Sequence, residues 1–188
     1  GRLQEQFRTG ADQDTRLASF WTLHSSGYLA DDVLGAAVGD GDAAVRAWAA
    51  RFIGERGVLD ARALGWLDRL ARDGDARVRL EVAVACRQFS SSQLTVNRPP
   101  AVDPAGVGAI LALLAGAPGA GDDPVLPFMI WHASEPMFAR NPEPGLRWLA
   151  ANGGRFQTMS GILIRKAMRR LCDLGTPEAM DMAMALVT

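Results

Sequence analysis

Hydrophobic residues recur along this chain with the spacing of a single helix face. Val45, Trp48, Ala49 and Phe52 stand at positions i, i+3, i+4 and i+7, which predicts an amphipathic helix. The same phrase, an acidic residue followed by an arginine and a run of small apolar residues, occurs three times. The three copies are DTRLASFWTLHSSG from residue 14, DAAVRAWAARFIGERG from residue 42 and DARVRLEVAVACRQF from residue 75.

The repeated phrases have a regular period. Their arginines, Arg16, Arg46 and Arg79, are spaced by 30 and then 33 residues, and periods of this length are typical of solenoids built from helix pairs. No stretch alternates apolar and polar residues as a strand would. The sequence therefore predicts an all-α fold over 1–188, a single curved, right-handed array of about five antiparallel helix pairs. The additional helices are predicted at 30–39, 60–73, 103–116, from 123 to a stop or kink at Pro136, at 141–154, at 158–175 and from Thr176 onward.

Helix boundaries follow from local chemistry. Asp42 and Asp75 are suited to cap helix N-termini, and Thr176 followed by Pro177 opens the last helix in a similar way. Polar, Pro- and Gly-containing segments at 90–102 and 116–124 predict loops.

Composition narrows the function classes. The 188 residues are 48% hydrophobic and 22% charged with a net charge of −1, so the chain can bury a core. The charge argues against a dedicated nucleic-acid or anionic-membrane binder. Cys86 and Cys172 lie in apolar helical stretches and are predicted to be buried, since two distant cysteines form neither a disulfide framework nor a metal motif. The abrupt first residues and the apolar helical pattern at the end predict a fragment of a longer protein.

The D-x-x-V-R phrase resembles the start of the second helix in HEAT repeats. Two copies match well, the first matches loosely because Thr15 replaces the valine, and the segment from Asp123 departs from the pattern because its arginine is lost. In HEAT arrays such residues often form a hydrogen-bonded ladder between neighbouring repeats. The resemblance implies this structural role for Asp42, Arg46, Asp75 and Arg79.

A closer resemblance covers most of the chain. The order of RLASFWTLH, VRAWAARFIG, VRLEVAVAC and DDPVLPFMIWHASEP, followed by an Ile-Arg-rich helix, is similar to the HEAT-repeat part of large exported proteins of planctomycetes and their relatives. These proteins are described as membrane-bound dehydrogenases, with a β-propeller before the repeats and a c-type haem domain after them. The resemblance implies that haem c, and any further redox cofactor, lies elsewhere in the parent protein. This chain contains no C-x-x-C-H motif, and no cofactor is expected in it.

The most specific element of that resemblance also contains candidate metal-binding or acid–base residues. His132 and Glu135 are spaced i, i+3 on one predicted helix. A metal or acid–base site would need further ligands from elsewhere, and the sequence favours an intramolecular hydrogen-bonding or capping role. The full motif comprises Asp122, Asp123, Trp131, His132 and Glu135.

Two further groups of residues are candidate binding elements. Five tryptophans recur about once per repeat, and their spacing to apolar neighbours predicts core positions more than a ligand-stacking ladder. The basic residues of the helix at 158–175 favour a solvated face, with a docking patch for an acidic partner or neighbouring domain as the alternative. These groups are Trp21, Trp48, Trp66, Trp131 and Trp148, and Arg165, Lys166, Arg169 and Arg170.

The sequence contains no serine–histidine–aspartate set, glycine-rich phosphate loop or nucleophile elbow. We therefore expect a non-catalytic scaffold that binds a protein or neighbouring domains of its own polypeptide, within an exported, envelope-associated parent. One alternative is a HEAT-like enzyme or nucleic-acid-binding protein, similar to DNA glycosylases or bilin lyases. The other is a free-standing cytoplasmic adaptor.

Overall fold

The computed structural model describes residues 1–92, 104–139, 142–156 and 158–186, and this part of the chain is all-α, with no strand. The all-α prediction is therefore confirmed. Within the described residues there are eleven helices of at least eight residues, one four-residue helix and a short 3-10 turn at Gly153–Arg155. The helices are α1 (Arg2–Thr9), α2 (Gln13–Ser25), α3 (Asp31–Val38), α4 (Ala43–Arg56), α5 (Ala61–Ala71), α6 (Ala76–Ser92), α7 (Pro104–Ala115), α8 (Leu126–Ser134), α9 (Pro136–Ala139), α10 (Pro142–Asn152), α11 (Thr158–Leu174) and α12 (Pro177–Ala185).

Side-chain caps begin several of these helices. Asp42 accepts a hydrogen bond from the backbone N–H of Ala44 at 2.8 Å, and Thr176 accepts one from Ala179 at 3.2 Å. Each cap satisfies a backbone donor that the first helical turn leaves without an intrahelical partner. The predicted N-caps at Asp42 and Thr176 are confirmed. The predicted break at Pro136 is also confirmed, since α8 ends at Ser134 and a new short helix begins at Pro136.

The sequence did not predict helix α1. Its residues, RLQEQFRT, are mostly polar, and two apolar residues four positions apart are too few to establish a helical period. In the structure Phe7 of this helix is buried and stacks on Phe20 of α2, with ring centroids 4.9 Å apart. Helix α1 thus closes one end of the hydrophobic core.

The helices form two layers. Helix α4 packs on α6, α6 on α8 and α8 on α11, while α3 packs on α5 and α5 on α7. Helix α2 joins the first set through the contact of Phe20 with Phe52, and α10 joins the second because Trp148 Nε1 donates to the carbonyl of Gly108 at 2.8 Å. We call α3, α5, α7 and α10 the first layer, and α2, α4, α6, α8 and α11 the second layer. One continuous hydrophobic core lies between them.

Two expectations about burial need correction. Cys86 is buried as predicted, and burial raises the pKa of its thiol to about 12. The prediction for Cys172 is wrong, because this thiol is exposed and its neighbour Leu171 occupies the buried position on α11. The core prediction for Trp21 is also wrong, since 43% of this residue is exposed.

Candidate interaction surface

Arginines connect the turns of successive helix pairs. Arg16 forms an ion pair with Asp40 in the next turn. Arg46 does the same with Asp73 through two hydrogen bonds, 2.6 Å from Nε and 3.0 Å from Nη2. The third nitrogen of Arg46, Nη1, donates to the carbonyls of Asp40 at 2.9 Å and Gly41 at 3.1 Å. One guanidinium thereby ties its own turn to the following one.

The acidic residues in these pairs stand two positions before the ones that the resemblance implies. Asp42 caps α4, and Asp75 caps α6 in the same way, by accepting a hydrogen bond from the backbone N–H of Arg77 at 2.8 Å, and also accepts hydrogen bonds from the Arg77 side chain. Sequence reasoning missed Asp40 and Asp73, although the repeated Asp-Gly-Asp at 40–42 and 73–75 was a visible signal. The ladder therefore consists of Arg16–Asp40 and Arg46–Asp73. Arg79 forms no ion pair with a described residue.

These carboxylates should make the free energy of unfolding depend on pH in the acidic range. The hydrogen bond from Arg46 lowers the pKa of Asp73, and the hydrogen bond from Arg77 lowers the pKa of Asp75 to about 2. A carboxyl group with a lowered folded-state pKa stabilises the fold above its unfolded pKa, and this stabilisation disappears as the pH falls through the folded-state value. We therefore expect the free energy of unfolding, measured by urea denaturation, to fall from about pH 4 to about pH 2.

Replacing Asp73 tests that expectation. Asp73→Asn should be less stable than the natural chain at neutral pH and should lose less stability over the acid range, because one of the linked carboxyl groups is gone. Asp181→Asn is the control, since Asp181 is exposed and forms no ion pair with a described residue. An acid profile as steep in Asp73→Asn as in the control would contradict the linkage.

The second layer presents an outward face with aromatic side chains at its N-terminal end. Trp21 of α2 and Trp48 of α4 contact edge to face, with ring centroids 5.1 Å apart. The guanidinium of Arg51 lies 5.4 Å from the centroid of the Trp48 ring. Partly exposed aromatic rings beside an arginine are a combination enriched at protein interfaces. We call this surface, from Trp21 on α2 to Arg169 on α11, the second-layer face.

Acidic side chains occupy the middle of the second-layer face. Glu55 of α4 contacts His24 Nε2 at 2.8 Å and Arg51 Nε at 3.1 Å. Arg51 also lies 3.8 Å from Glu81 of α6. Burial raises the pKa of Glu81, against the opposing effect of Arg51. A chain of charge contacts thus crosses α2, α4 and α6.

The WHASEP segment lies farther along the same face. His132 stacks on Phe128 with ring centroids 5.8 Å apart, and its backbone carbonyl accepts a hydrogen bond from Arg87 at 2.8 Å. Glu135 lies between Arg87, at 4.0 Å, and Arg170, at 3.7 Å. Burial, with a smaller effect of Arg87, lowers the pKa of His132. These residues connect α6, α8 and α11.

The other members of that motif do not converge on His132. Asp123 accepts hydrogen bonds from the backbone N–H groups of Val125 and Leu126 in the turn that precedes α8, and Asp122 is exposed. Trp131 packs against Phe138. Within the described ranges, no three His, Cys, Asp or Glu side chains are grouped so that they could hold a metal ion.

The four residues of the predicted basic cluster on α11 fall into two groups, one in contact with neighbouring side chains and one exposed. Lys166 lies over the ring of Phe128, 5.6 Å from its centroid, and Arg170 faces Glu135. Arg165 and Arg169 are exposed and form no ion pair with described residues. A shallow cavity of about 240 Å³ lies beside them. Its lining residues are Trp131, Glu135, Lys166, Arg169, Arg170 and Asp173.

Comparison with known proteins does not assign this chain to a family. No family model matches it, and no curated protein is significantly similar to it. Among the described residues, no helix is both long enough and apolar enough to cross a membrane.

Proposed function

We propose that this chain is a HEAT-like α-solenoid that acts as a non-catalytic scaffold for protein partners or neighbouring domains of its own polypeptide. One observation carries the proposal: two guanidinium groups 33 residues apart have the same backbone contacts. Nη1 of Arg46 donates to the carbonyls of Asp40 and Gly41, and Nη1 of Arg79 donates to those of Asp73 and Gly74. This recurrence supports a structural repeat.

Layered packing supports the same proposal. Helices α4, α6, α8 and α11 pack in sequence within the second layer, and Phe20 of α2 contacts Phe52 of α4, as in a solenoid whose repeats contact mainly their neighbours. Such arrays offer long surfaces for extended binding partners. The second-layer face has the chemistry for this role, because tryptophan and arginine are enriched among the residues that dominate binding energies.

Charge along the second-layer face favours one orientation of a partner. Glu55 and Glu81 lie near α4 and α6, whereas Arg165 and Arg169 are exposed on α11. A partner with an acidic segment would therefore be attracted to the α11 end, since complementary charge raises the association rate and selects the orientation.

The proposed setting rests on the sequence resemblance. In an exported parent protein, the array would hold a β-propeller, dehydrogenase-like domain and a c-type haem domain at a fixed separation. The WHASEP segment, on which the resemblance mainly depends, makes contacts that join α6, α8 and α11. Such contacts are typical of a segment with a structural role.

The exposed thiol of Cys172 provides a test. Cys172 follows Arg169 by three positions on α11, so a benzophenone maleimide on this thiol places a photo-cross-linker beside the basic patch, while Cys86 is buried. Light-induced cross-linking in an extract of the source organism should join the labelled chain to one partner protein, and the site of the link can then be mapped. Arg165→Glu/Arg169→Glu should reduce that product about tenfold, a loss of about 1.4 kcal/mol, with an unchanged melting temperature.

Matched control variants determine how the cross-linking result is interpreted. Arg69→Glu/Arg147→Glu makes the same charge change on exposed first-layer positions and should leave cross-linking intact. Undiminished cross-linking in Arg165→Glu/Arg169→Glu would refute docking at α11. A product that stains for covalent haem would support the exported redox setting, and a haem-free soluble partner would refute that setting in favour of a separate adaptor.

A further inference from the structure

A cavity of about 680 Å³ lies away from the second-layer face, at the edge where the Arg–Asp ladder stops. It is bounded by the ends of α5 and α7, the start of α6 and the turn at Gly153–Arg155. Its volume falls in the range of small-molecule sites. Its walls combine arginines with apolar residues: Ala71, Arg72, Asp73, Gly74, Arg79, Ala112, Leu113, Gly116, Ala117, Pro118 and Arg155.

The guanidinium of Arg79 is oriented like that of Arg46 but lacks its carboxylate. Nη1 of Arg79 donates to Asp73 O at 2.7 Å and Gly74 O at 3.1 Å, which repeats the backbone contacts of Arg46. In Arg46 the remaining edge, Nε and Nη2, binds the Asp73 carboxylate. In Arg79 the Nε atom is buried without a hydrogen-bond partner, and Nη2 donates to no described residue.

The sequence explains the missing partner. Asp40 and Asp73 stand two residues before the N-capping Asp42 and Asp75. The next aspartate that accepts hydrogen bonds from backbone N–H groups just ahead of a helix is Asp123, and the residue two positions before it is Gly121. Glycine supplies no carboxylate, so the ladder ends at Arg79. A buried guanidinium N–H without a partner is costly, and an external acceptor would remove that cost.

The remaining charges of the cavity favour an anion. Asp73 is already paired with Arg46, and Arg72 is paired with Asp68 at 3.2 Å. Arg155 has no ion-pair partner among the described residues. The net character near Arg79 is therefore positive, and a planar fork of N–H donors matches a carboxylate in two-point contact.

We propose that this cavity binds a small organic carboxylate with a compact apolar body. The carboxylate takes the position that Asp73 occupies on Arg46. It accepts a hydrogen bond from Nη2 of Arg79 and, because Nε is buried, accepts one from Nε once the side chains that cover this atom have moved aside. Arg155 adds a second positive charge, and Leu113, Ala117 and Pro118 contact the apolar body. This site is independent of the proposed scaffold function, so the failure of either proposal leaves the other untouched.

Benzoate is a suitable probe, because it joins a carboxylate to a compact apolar ring. Titration of the full chain, labelled with ¹⁵N at arginine, should shift one Nε–Hε signal in a saturable way, with a Kd on the order of 1 mM or tighter. Acetate, which lacks the apolar body, and inorganic phosphate, which is tetrahedral, should bind at least about tenfold more weakly. Equal binding of phosphate would overturn the assignment to a carboxylate.

Three variants test the geometry. Arg79→Lys keeps the charge but removes the two-nitrogen edge and should weaken benzoate binding at least about tenfold. Ala117→Glu places a carboxylate in the cavity wall, keeps Arg79 and should also abolish binding. Arg69→Gln, which removes an exposed guanidinium that does not line the cavity, should bind benzoate nearly as well as the natural chain.

The second variant keeps the test decisive if the first one does not fold. If Arg79→Lys fails to fold, Ala117→Glu decides, because its Arg79 backbone contacts are unchanged. The absence of a saturable shift at about 10 mM benzoate, or equal affinity in the natural chain and Ala117→Glu, would overturn the proposal.

Discussion

Phe20→Ala is expected to lower the free energy of unfolding by about 4 kcal/mol, the scale of a large-to-small change at a fully buried aromatic residue. The Phe20 side chain is completely buried, and its ring lies between Phe7 at 4.9 Å and Phe52 at 5.0 Å. Its removal would leave a cavity where α1, α2 and α4 meet and would end two aromatic contacts. Urea denaturation monitored by circular dichroism gives the difference directly.

The adjacent residue supplies a matched control for Phe20→Ala. Trp21 lies next to Phe20 on the same helix but is 43% exposed, so Trp21→Ala should cost only about 2 kcal/mol, since much of its surface is already in water. Similar losses for the two variants would mean that the aromatic cluster around Phe20 is not a principal source of stability.

Gly54→Leu is expected to destabilise the chain by about 3 kcal/mol or more. A Cβ atom at position 54 would lie 2.7 Å from Ala85 Cα and 2.8 Å from Ala85 Cβ, far inside normal contact distance. Because these are backbone and near-backbone atoms of α6, helices α4 and α6 would have to move apart. The melting temperature and the urea midpoint should both fall.

A second helical glycine separates crowding from helix propensity. Gly65 lies within α5, and a Cβ there would have no neighbour within 4 Å. Gly65→Ala should therefore stabilise the chain by about 0.5 to 1 kcal/mol through the better helix propensity of alanine. A stabilising effect of Gly54→Leu would show that α4 and α6 are not held in close contact at Gly54 in solution.

Local chemistry made many helix boundaries predictable. Asp42 and Thr176 act on backbone groups two or three residues away, so their capping role can be inferred from sequence alone. Helix α1 could not be inferred in this way, because its place in the fold comes from tertiary contacts such as that of Phe7 with Phe20 and the ion pair of Arg8 with Asp32. Cys172 was misplaced because an apolar stretch does not specify which of two adjacent positions faces the core.

The candidate sites were less predictable than the fold, for a related reason. Arg46 was identified as a ladder residue, but its partner Asp73 is 27 residues away, and the choice between Asp73 and Asp75 depends on how the turn points. The cavity at Arg79 is distinguished by the lack of a carboxylate paired with this guanidinium, and a sequence contains no motif for a group that is lacking. Only comparison of two guanidinium groups in their folded positions reveals it.

The end of the Arg–Asp ladder at Arg79 also changes how the chain is held together. Before that point, successive turns are joined both by packed side chains and by charged hydrogen bonds across partly buried pairs. Beyond it, no Arg–Asp pair joins the turns of described residues, and the polar contacts run between helices instead, from Arg87 to the carbonyl of His132 and from Arg87 and Arg170 to Glu135. An anion bound at Arg79 would therefore act as a removable brace between two turns that no carboxylate of the described chain connects.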